Sequence, residues 1–77
     1  MSEMIQYHAK KIAVQPEDIL QARIRYKITQ YELAQILGVS VRTLESWERG
    51  KRKPSKAAQS LLVLFIRAPN FLINYLA

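Results

Sequence analysis

Apolar and polar residues follow a helical period through most of the chain, and Pro, Ser and Gly mark where each run begins and ends. Pro16, followed by two acidic residues, predicts the start of a helix that runs to about Tyr26. Leu20, Ile24 and Ile28 lie four residues apart and form its candidate apolar face. Because Ile24, Tyr26 and Ile28 also alternate with polar residues, the end of this helix stays open.

A second helix is predicted to begin at Thr29. Thr29 and Glu32 form a T-x-x-E capping box, in which each side chain accepts a hydrogen bond from the backbone amide of the other residue. Gly38 supplies the left-handed backbone conformation that ends the helix. Its apolar face consists of Leu33, Ala34 and Leu37, with Ile36 on the flank.

A third helix is predicted to start three residues after the second one stops, with only Val39 between Gly38 and Ser40. Ser40 is a typical N-cap, Leu44 and Trp47 share the inward face, and the helix ends before Gly50. Two short helices that cross through a small residue and a glycine turn meet the geometric requirements of a helix-turn-helix. Such hairpins also occur in purely structural bundles, so spacing alone leaves DNA binding open.

The last third of the chain is the most apolar. Ser55 predicts the start of a fourth helix that runs to about Arg67, and Pro69 opens a last short helical stretch over residues 71–76. Residues 61–66 are all apolar, which is more than one core-facing stripe needs. We therefore expect a self-association surface that forms a homodimer, and the alternative is that this segment only closes the core of the monomer.

Composition indicates one small folded domain, because 49% of the 77 residues are hydrophobic. The predicted fold class is all-α, a compact bundle of about five helices containing a helix-turn-helix, over residues 15–77 with a C-terminal association segment. Residues 1–14 form an N-terminal arm that stays unassigned. The absence of Cys excludes a disulfide framework and fits a reducing cytosol. No secretion signal or membrane-spanning stretch is recognised, since residues 61–77 are too short and too polar to cross a bilayer.

The positive charge is concentrated in one segment. The chain has 12 Lys and Arg against six Asp and Glu, a net charge of +6. Between Arg42 and Lys56 there are six basic and two acidic residues, whereas the first 41 residues carry five basic and four acidic ones. Such a patch attracts polyanions, which include nucleic acid, acidic lipid surfaces and acidic partner proteins.

Nothing in the pattern predicts catalysis. The chain has no Ser/His/Asp or Cys/His grouping, no glycine-rich phosphate loop and no metal-ligand spacing, and its single histidine, His8, lies in the unassigned arm. We therefore expect a protein that is not an enzyme and needs no cofactor or metal. The rival to DNA binding is a protein-interaction module that masks another protein, and the two roles are compatible.

One run of 27 residues resembles a known DNA-binding family. The residues that carry the resemblance are Thr29-Gln30-x-x-Leu33-Ala34-x-x-Leu37-Gly38-Val39-Ser40-x-x-Thr43-Leu44-x-x-Trp47-Glu48-x-Gly50-x-x-x-Pro54-Ser55. This run is similar to the helix-turn-helix of the Cro/phage-repressor (XRE) family. The resemblance implies a lambda-repressor-like fold whose third helix enters the major groove of double-stranded DNA.

The resemblance implies that three residues of the third helix reach base edges. Arg42 can donate to O6 and N7 of guanine, Val41 can pack on a thymine methyl group, and Ser46 is an adaptable hydrogen-bonding residue. Many members of the family have Gln at the position of Val41, so the side chain that would read adenine there is missing. The alternative role for Arg42 is that of a solvated surface arginine.

The resemblance also implies contacts to the DNA backbone. Gln30 opens the second helix, where the family holds a phosphate with a glutamine side chain and the helix N-terminus. Each of these residues has an alternative role. Gln30 is then an ordinary residue of the first helical turn, Ser40 is only a helix cap, and the basic loop of residues 51–53 is a solvated surface. The expected backbone contacts are Gln30, Ser40, Thr43, Lys51, Arg52 and Lys53, and Arg49 is also expected to bind DNA.

Two other residues of the third helix are expected to serve the fold. Trp47 shares a face with Leu44, which indicates a core position and not a platform for base stacking. Glu48 resembles the family glutamate that pairs with an arginine of the first helix, and the matching position in this chain is Arg23. We expect this pair to join the first and third helices.

A second, narrower resemblance covers the end of the motif and the helix after it. A Trp-Glu pair, a basic loop, Pro-Ser and a Leu-rich helix followed by Pro are similar to antitoxins of bacterial type II toxin-antitoxin systems, particularly the host-inhibition-of-growth type. This resemblance implies a homodimeric repressor that binds an operator in double-stranded DNA, with a cognate toxin protein as a second partner. The expected location is the cytoplasm, with no membrane partner.

Overall fold

The computed structural model describes residues 14–76. In that range it contains five helices and no strand, so the all-α prediction is confirmed there. The helices are α1 (Pro16–Tyr26), α2 (Gln30–Leu37), α3 (Val41–Glu48), α4 (Lys56–Arg67) and α5 (Pro69–Leu76). The unassigned N-terminal arm, apart from Val14, lies outside the described residues.

Side-chain caps begin α2, α3 and α4 at the predicted positions. Thr29 Oγ1 accepts a hydrogen bond from the Glu32 amide at 3.0 Å, and Glu32 Oε1 accepts one from the Thr29 amide at 2.9 Å. Ser40 and Ser55 accept from the third helical amide at 3.0 and 3.2 Å. Because the first amides of a helix have no partner inside it, each cap satisfies a donor that would otherwise stay unbonded.

The inward face of α1 differs from the one that the sequence suggested. Ile19 and Ala22 are buried, whereas Leu20 and Ile24 are 39% and 65% exposed. The candidate face built on a spacing of four was therefore wrong within α1. The helix packs on α3 and α4 through Ile19 and Ala22, and this packing overrides the local apolar pattern. Ile28, which follows the helix, does pack against the core.

One hydrophobic core joins the five helices. Tyr26 of α1 packs edge-to-face on Phe65 of α4, with ring centroids 5.9 Å apart, and its hydroxyl donates to the Ile66 carbonyl at 3.2 Å. The inward positions predicted for α2 and α3 are confirmed. The buried residues are Ile19, Ala22, Leu33, Ala34, Leu44, Trp47, Leu62, Phe65 and Leu72.

The core covers only part of the apolar surplus in the last third of the chain. Leu62 and Phe65 are buried in α4, whereas the other four residues of 61–66 are half-buried. Leu72 is buried in α5, but the neighbouring Phe71 is 60% exposed. Within residues 14–76, no helix combines the length and the apolar character needed to cross a membrane.

Replacing Gly38 with alanine is expected to lower the free energy of unfolding by about 1 kcal/mol. Gly38 has φ +75°, and apart from Gly38 and its two chain neighbours nothing lies within 4 Å of the position that a Cβ would take. The cost therefore comes from the left-handed backbone and not from a clash. Urea denaturation measures this loss of unfolding free energy. Gly38→Asn should lower the free energy of unfolding by less than Gly38→Ala does, because asparagine tolerates this conformation better than alanine. Equal losses for the two variants would contradict the conformational cause.

Candidate nucleic-acid interface

Three residues, Gly38, Val39 and Ser40, join α2 to α3. The Gly38 amide donates to the Gln35 carbonyl at 3.2 Å and the Val39 amide to the Ala34 carbonyl at 3.0 Å, so the turn satisfies the last carbonyls of α2. Val39 packs against the core. The two helices and the turn therefore form the predicted helix-turn-helix.

One side of α3 packs in the core and the other faces solvent. Leu44 and Trp47 are buried, whereas Arg42 and Arg49 are exposed. At the helical repeat of about 3.6 residues per turn, four residues lie on the side opposite Leu44 and Trp47, and Val41, three residues before Leu44, lies at the edge of that side. We call this side the outward face of α3, and its residues are Val41, Arg42, Glu45, Ser46 and Arg49.

Ser40 and Thr43 form a local hydrogen-bonded pair at the start of α3. Ser40 Oγ accepts from the Thr43 amide at 3.0 Å and donates to Thr43 Oγ1 at 2.9 Å. Ser40 is therefore a cap, as the sequence predicts. The Thr43 hydroxyl keeps its own proton, which a phosphate oxygen can accept. Contact of either residue with DNA stays a prediction.

The basic loop, residues 51–53, continues from the end of α3. The side chains of Lys51, Arg52 and Lys53 are all exposed. The Lys51 amide donates to the Ser46 carbonyl at 2.9 Å, and Gly50 takes φ +75° to allow this return. The start of the loop is therefore fixed against α3, and its charges lie beside the C-terminal end of that helix.

A bidentate ion pair joins α1 to α3. Arg23 Nε lies 2.7 Å from Glu48 Oε2, and Nη2 lies 2.9 Å from Oε1. The side chains of Arg23 and Glu48 are only 14% and 7% exposed. The hydrogen bond to Glu48 raises the pKa of Arg23 above its usual value, against the lowering effect of burial. The predicted Arg23–Glu48 pair is therefore confirmed.

Gln30 belongs to the same network. Its Nε2 donates to Glu48 Oε1 at 3.1 Å, so the glutamate accepts hydrogen bonds from both α1 and α2. This bond was not predicted from the sequence, because no local spacing relates Gln30 to a residue 18 positions further on. It holds the side chain at the first turn of α2, and the expected phosphate contact of Gln30 stays a prediction.

The outward face of α3 also carries an acidic residue that was not predicted to belong to the site. Glu45 Oε2 lies 3.5 Å from Arg49 Nη2, in a pair whose side chains are 46% and 61% exposed. Helical spacing could have found it, because Glu45 lies three residues after Arg42 and four before Arg49. The residues predicted from the sequence were basic, apart from hydroxyl residues, Gln30 and Val41, and an acidic residue was not considered.

The chain is similar to the protein named Antitoxin HigA-2 from Vibrio cholerae serotype O1 (strain ATCC 39315 / El Tor Inaba N16961). The two are 34% identical over 62 residues, which make up 80% of this chain and 60% of that protein. This chain therefore spans less than two thirds of the length of that relative.

The family model for the helix-turn-helix matches residues 19–58, which is more than half of the chain. The matched range includes both members of the Arg23–Glu48 pair, all of α2 and α3, and the basic loop. It thus covers every residue that the sequence predicted for a DNA-binding site. The chain belongs to the helix-turn-helix family, in the XRE type that its motif resembles.

Proposed function

We propose that the chain is a sequence-specific DNA-binding transcriptional regulator that places α3 in the major groove of double-stranded DNA. The observation that carries the proposal is the outward face of α3, where Arg42 and Arg49 are exposed directly opposite the buried Leu44. A helix anchored on one side and charged on the other can enter a groove without disturbing the core. The chain works by binding in the cytoplasm, without catalysis or a cofactor.

The outward face divides into base-reading and backbone-binding residues. Arg42 donates to guanine O6 and N7, and Val41, which is 37% exposed, packs on a thymine methyl group. Ser46 is half-buried and makes an adaptable hydrogen bond. The DNA backbone is held by Gln30, Ser40, Thr43, Arg49, Lys51, Arg52 and Lys53.

Selection from a pool of random-sequence DNA duplexes tests this function. The expected result is an enriched motif that the chain binds at least about a thousandfold more tightly than random duplex, as specific regulators do. Fluorescence anisotropy at several salt concentrations measures both affinities. A chain that enriches no motif and binds every duplex alike is not a sequence-specific regulator.

The similarity to a protein named an antitoxin favours a second role, neutralisation of a toxin encoded in the neighbouring reading frame. The test is co-expression, in which the neighbouring product alone should arrest growth and the chain should restore it. A variant with Arg42 and Lys51 both changed to alanine is the matched control, because it removes one proposed base contact and one proposed backbone contact from exposed positions outside the core. Restored growth with this variant, once fluorescence anisotropy has shown that it no longer binds DNA, shows neutralisation without DNA binding, whereas no arrest or no rescue counts against the role.

Replacing Phe71 with glutamate is expected to raise the dissociation constant of a homodimer at least about tenfold, because burying a phenylalanine side chain is worth about 1.5–3 kcal/mol. We propose that the apolar surplus of α4 and α5 forms this dimer, which would read two half-sites about 34–36 Å apart. Phe71 is 60% exposed, whereas Leu64 packs partly against the core. A charge at Phe71 therefore tests association with less risk to the fold than a charge at Leu64.

Sedimentation equilibrium at tens of micromolar measures this association. Ile24→Glu is the matched control, since Ile24 is exposed to a similar extent, 65% against 60%, but lies on α1. It should leave the dissociation constant unchanged. A wild-type chain that stays monomeric at these concentrations has no such dimer, and the apolar surplus would then point to a different protein partner.

A further inference from the structure

Glu45 is an acid on an otherwise basic or neutral surface. It lies on the outward face of α3 between Arg42 and Arg49, and the basic loop follows the same helix. The Glu45 carboxylate is 46% exposed, and its nearest cation, Arg49, is 3.5 Å away in an exposed pair of low strength. The carboxylate therefore lies on the outward face and makes no strong interaction with Arg49.

A carboxylate is costly on a surface that approaches DNA. It is repelled by the phosphates, and it loses solvation in the groove unless a hydrogen-bond donor replaces water. The major groove offers only two amino groups as donors, N4 of cytosine and N6 of adenine. The adenine amino group lies between two acceptors, its own N7 and O4 of the paired thymine, whereas the cytosine amino group has an acceptor, O6 of the paired guanine, on one side only, so cytosine is the base that suits Glu45.

The position of Glu45 relative to Arg42 sets where that cytosine lies. Three residues of α-helix advance about 4.5 Å along the axis, and one base pair advances about 3.4 Å. The two side chains project from the same face of α3, since a separation of three residues is close to one turn. The distance between the two residues along the helix is therefore about 1.3 base-pair steps, which lets their side chains reach the same or adjacent base pairs.

We propose that Glu45 is a specificity-determining residue that accepts a hydrogen bond from N4 of a cytosine within about one base pair of the guanine bound by Arg42. This inference rests on the proposed function. Guanine, thymine and adenine present acceptors in the major groove, which the carboxylate repels, so Glu45 acts chiefly by excluding them.

The experiment compares motifs selected from random-sequence duplexes by the wild type, Glu45→Gln and Glu45→Ala. The wild type should require cytosine at one position by about tenfold over the other bases, a typical cost of one mismatch. Both variants should lose that preference and keep the guanine preference of Arg42. The ratio of affinities for duplexes that differ only at this base pair cancels the general gain from removing a negative charge.

Glu17→Gln is the matched control, because it removes the same charge from an exposed site on α1. It should leave the ratio unchanged, and urea midpoints should show that all three variants stay folded. A Glu45 variant that raises affinity for every duplex by one common factor overturns the inference, as does a wild-type motif without the cytosine. A wild type that selects no motif overturns the proposed function itself, which distinguishes the two failures.

Discussion

Replacing Glu48 with alanine is expected to lower the free energy of unfolding by about 3 kcal/mol, because it leaves the Arg23 charge without its partner in a largely buried position. The two side chains are 14% and 7% exposed and share two hydrogen bonds of 2.7 and 2.9 Å. Gln30 also loses its acceptor. Urea denaturation of the single variants and of the double variant with Arg23→Ala measures the loss of unfolding free energy and the interaction energy between the two side chains.

The matched control for this effect is Glu45→Ala on the same helix. Glu45 pairs with Arg49, but those side chains are 46% and 61% exposed, so the loss should stay within about 0.5 kcal/mol. Both changes replace glutamate with alanine in α3, so the difference in helix propensity largely cancels. In a double-mutant cycle, the variant with both Glu48→Ala and Arg23→Ala should lose less unfolding free energy than the sum of the two single variants. Equal losses at Glu45 and Glu48, or strict additivity with Arg23→Ala, would show that the buried pair does not stabilise the fold.

Replacing Arg42 with alanine is expected to weaken binding to the selected motif by about 1–3 kcal/mol, because a bidentate contact to guanine is lost. The preference for guanine at one base pair should disappear, while affinity for random duplex changes little. Arg42 is exposed and its substitution leaves the core untouched. Fluorescence anisotropy on the motif and on its single-base variants measures both quantities.

The control for Arg42 is Lys51→Ala in the basic loop. Lys51 is exposed and beside the end of α3, where we expect a phosphate contact. Its loss should weaken binding to all sequences alike and reduce the slope of log affinity against log salt by about 0.9. If Arg42→Ala lowers the affinity for motif and random duplex by the same factor, Arg42 binds the backbone and does not read a base.

The local features of the fold could be predicted from the sequence. Thr29, Ser40 and Ser55 each bond an amide three residues away, so their role depends on neighbours that the sequence already shows. Gly38 ends α2 in a left-handed conformation for an equally local reason. The buried position of Trp47 followed from helical spacing within a single turn of Leu44.

Features that depend on contacts between helices were harder to predict from the sequence. Whether α1 turns Ile19 or Ile24 to the core is decided by α3 and α4, which no pattern within α1 encodes. The bond from Gln30 to Glu48 spans two helices and was found only in the structure. The Arg23–Glu48 pair was predicted across a similar distance, but only because a family resemblance supplied the partner.

The bridge from Glu48 to Arg23 and Gln30 also bears on the rates of binding. Because the Glu48 carboxylate of α3 accepts hydrogen bonds from α1 and α2, α3 and the start of α2 are held together before DNA arrives. A preformed surface needs no folding step, so encounter with the duplex sets the association rate and the loop charges accelerate it. The identity of the bases then governs chiefly how long the complex lasts. In a cell, such a regulator would scan many sites quickly and differ among them in residence time.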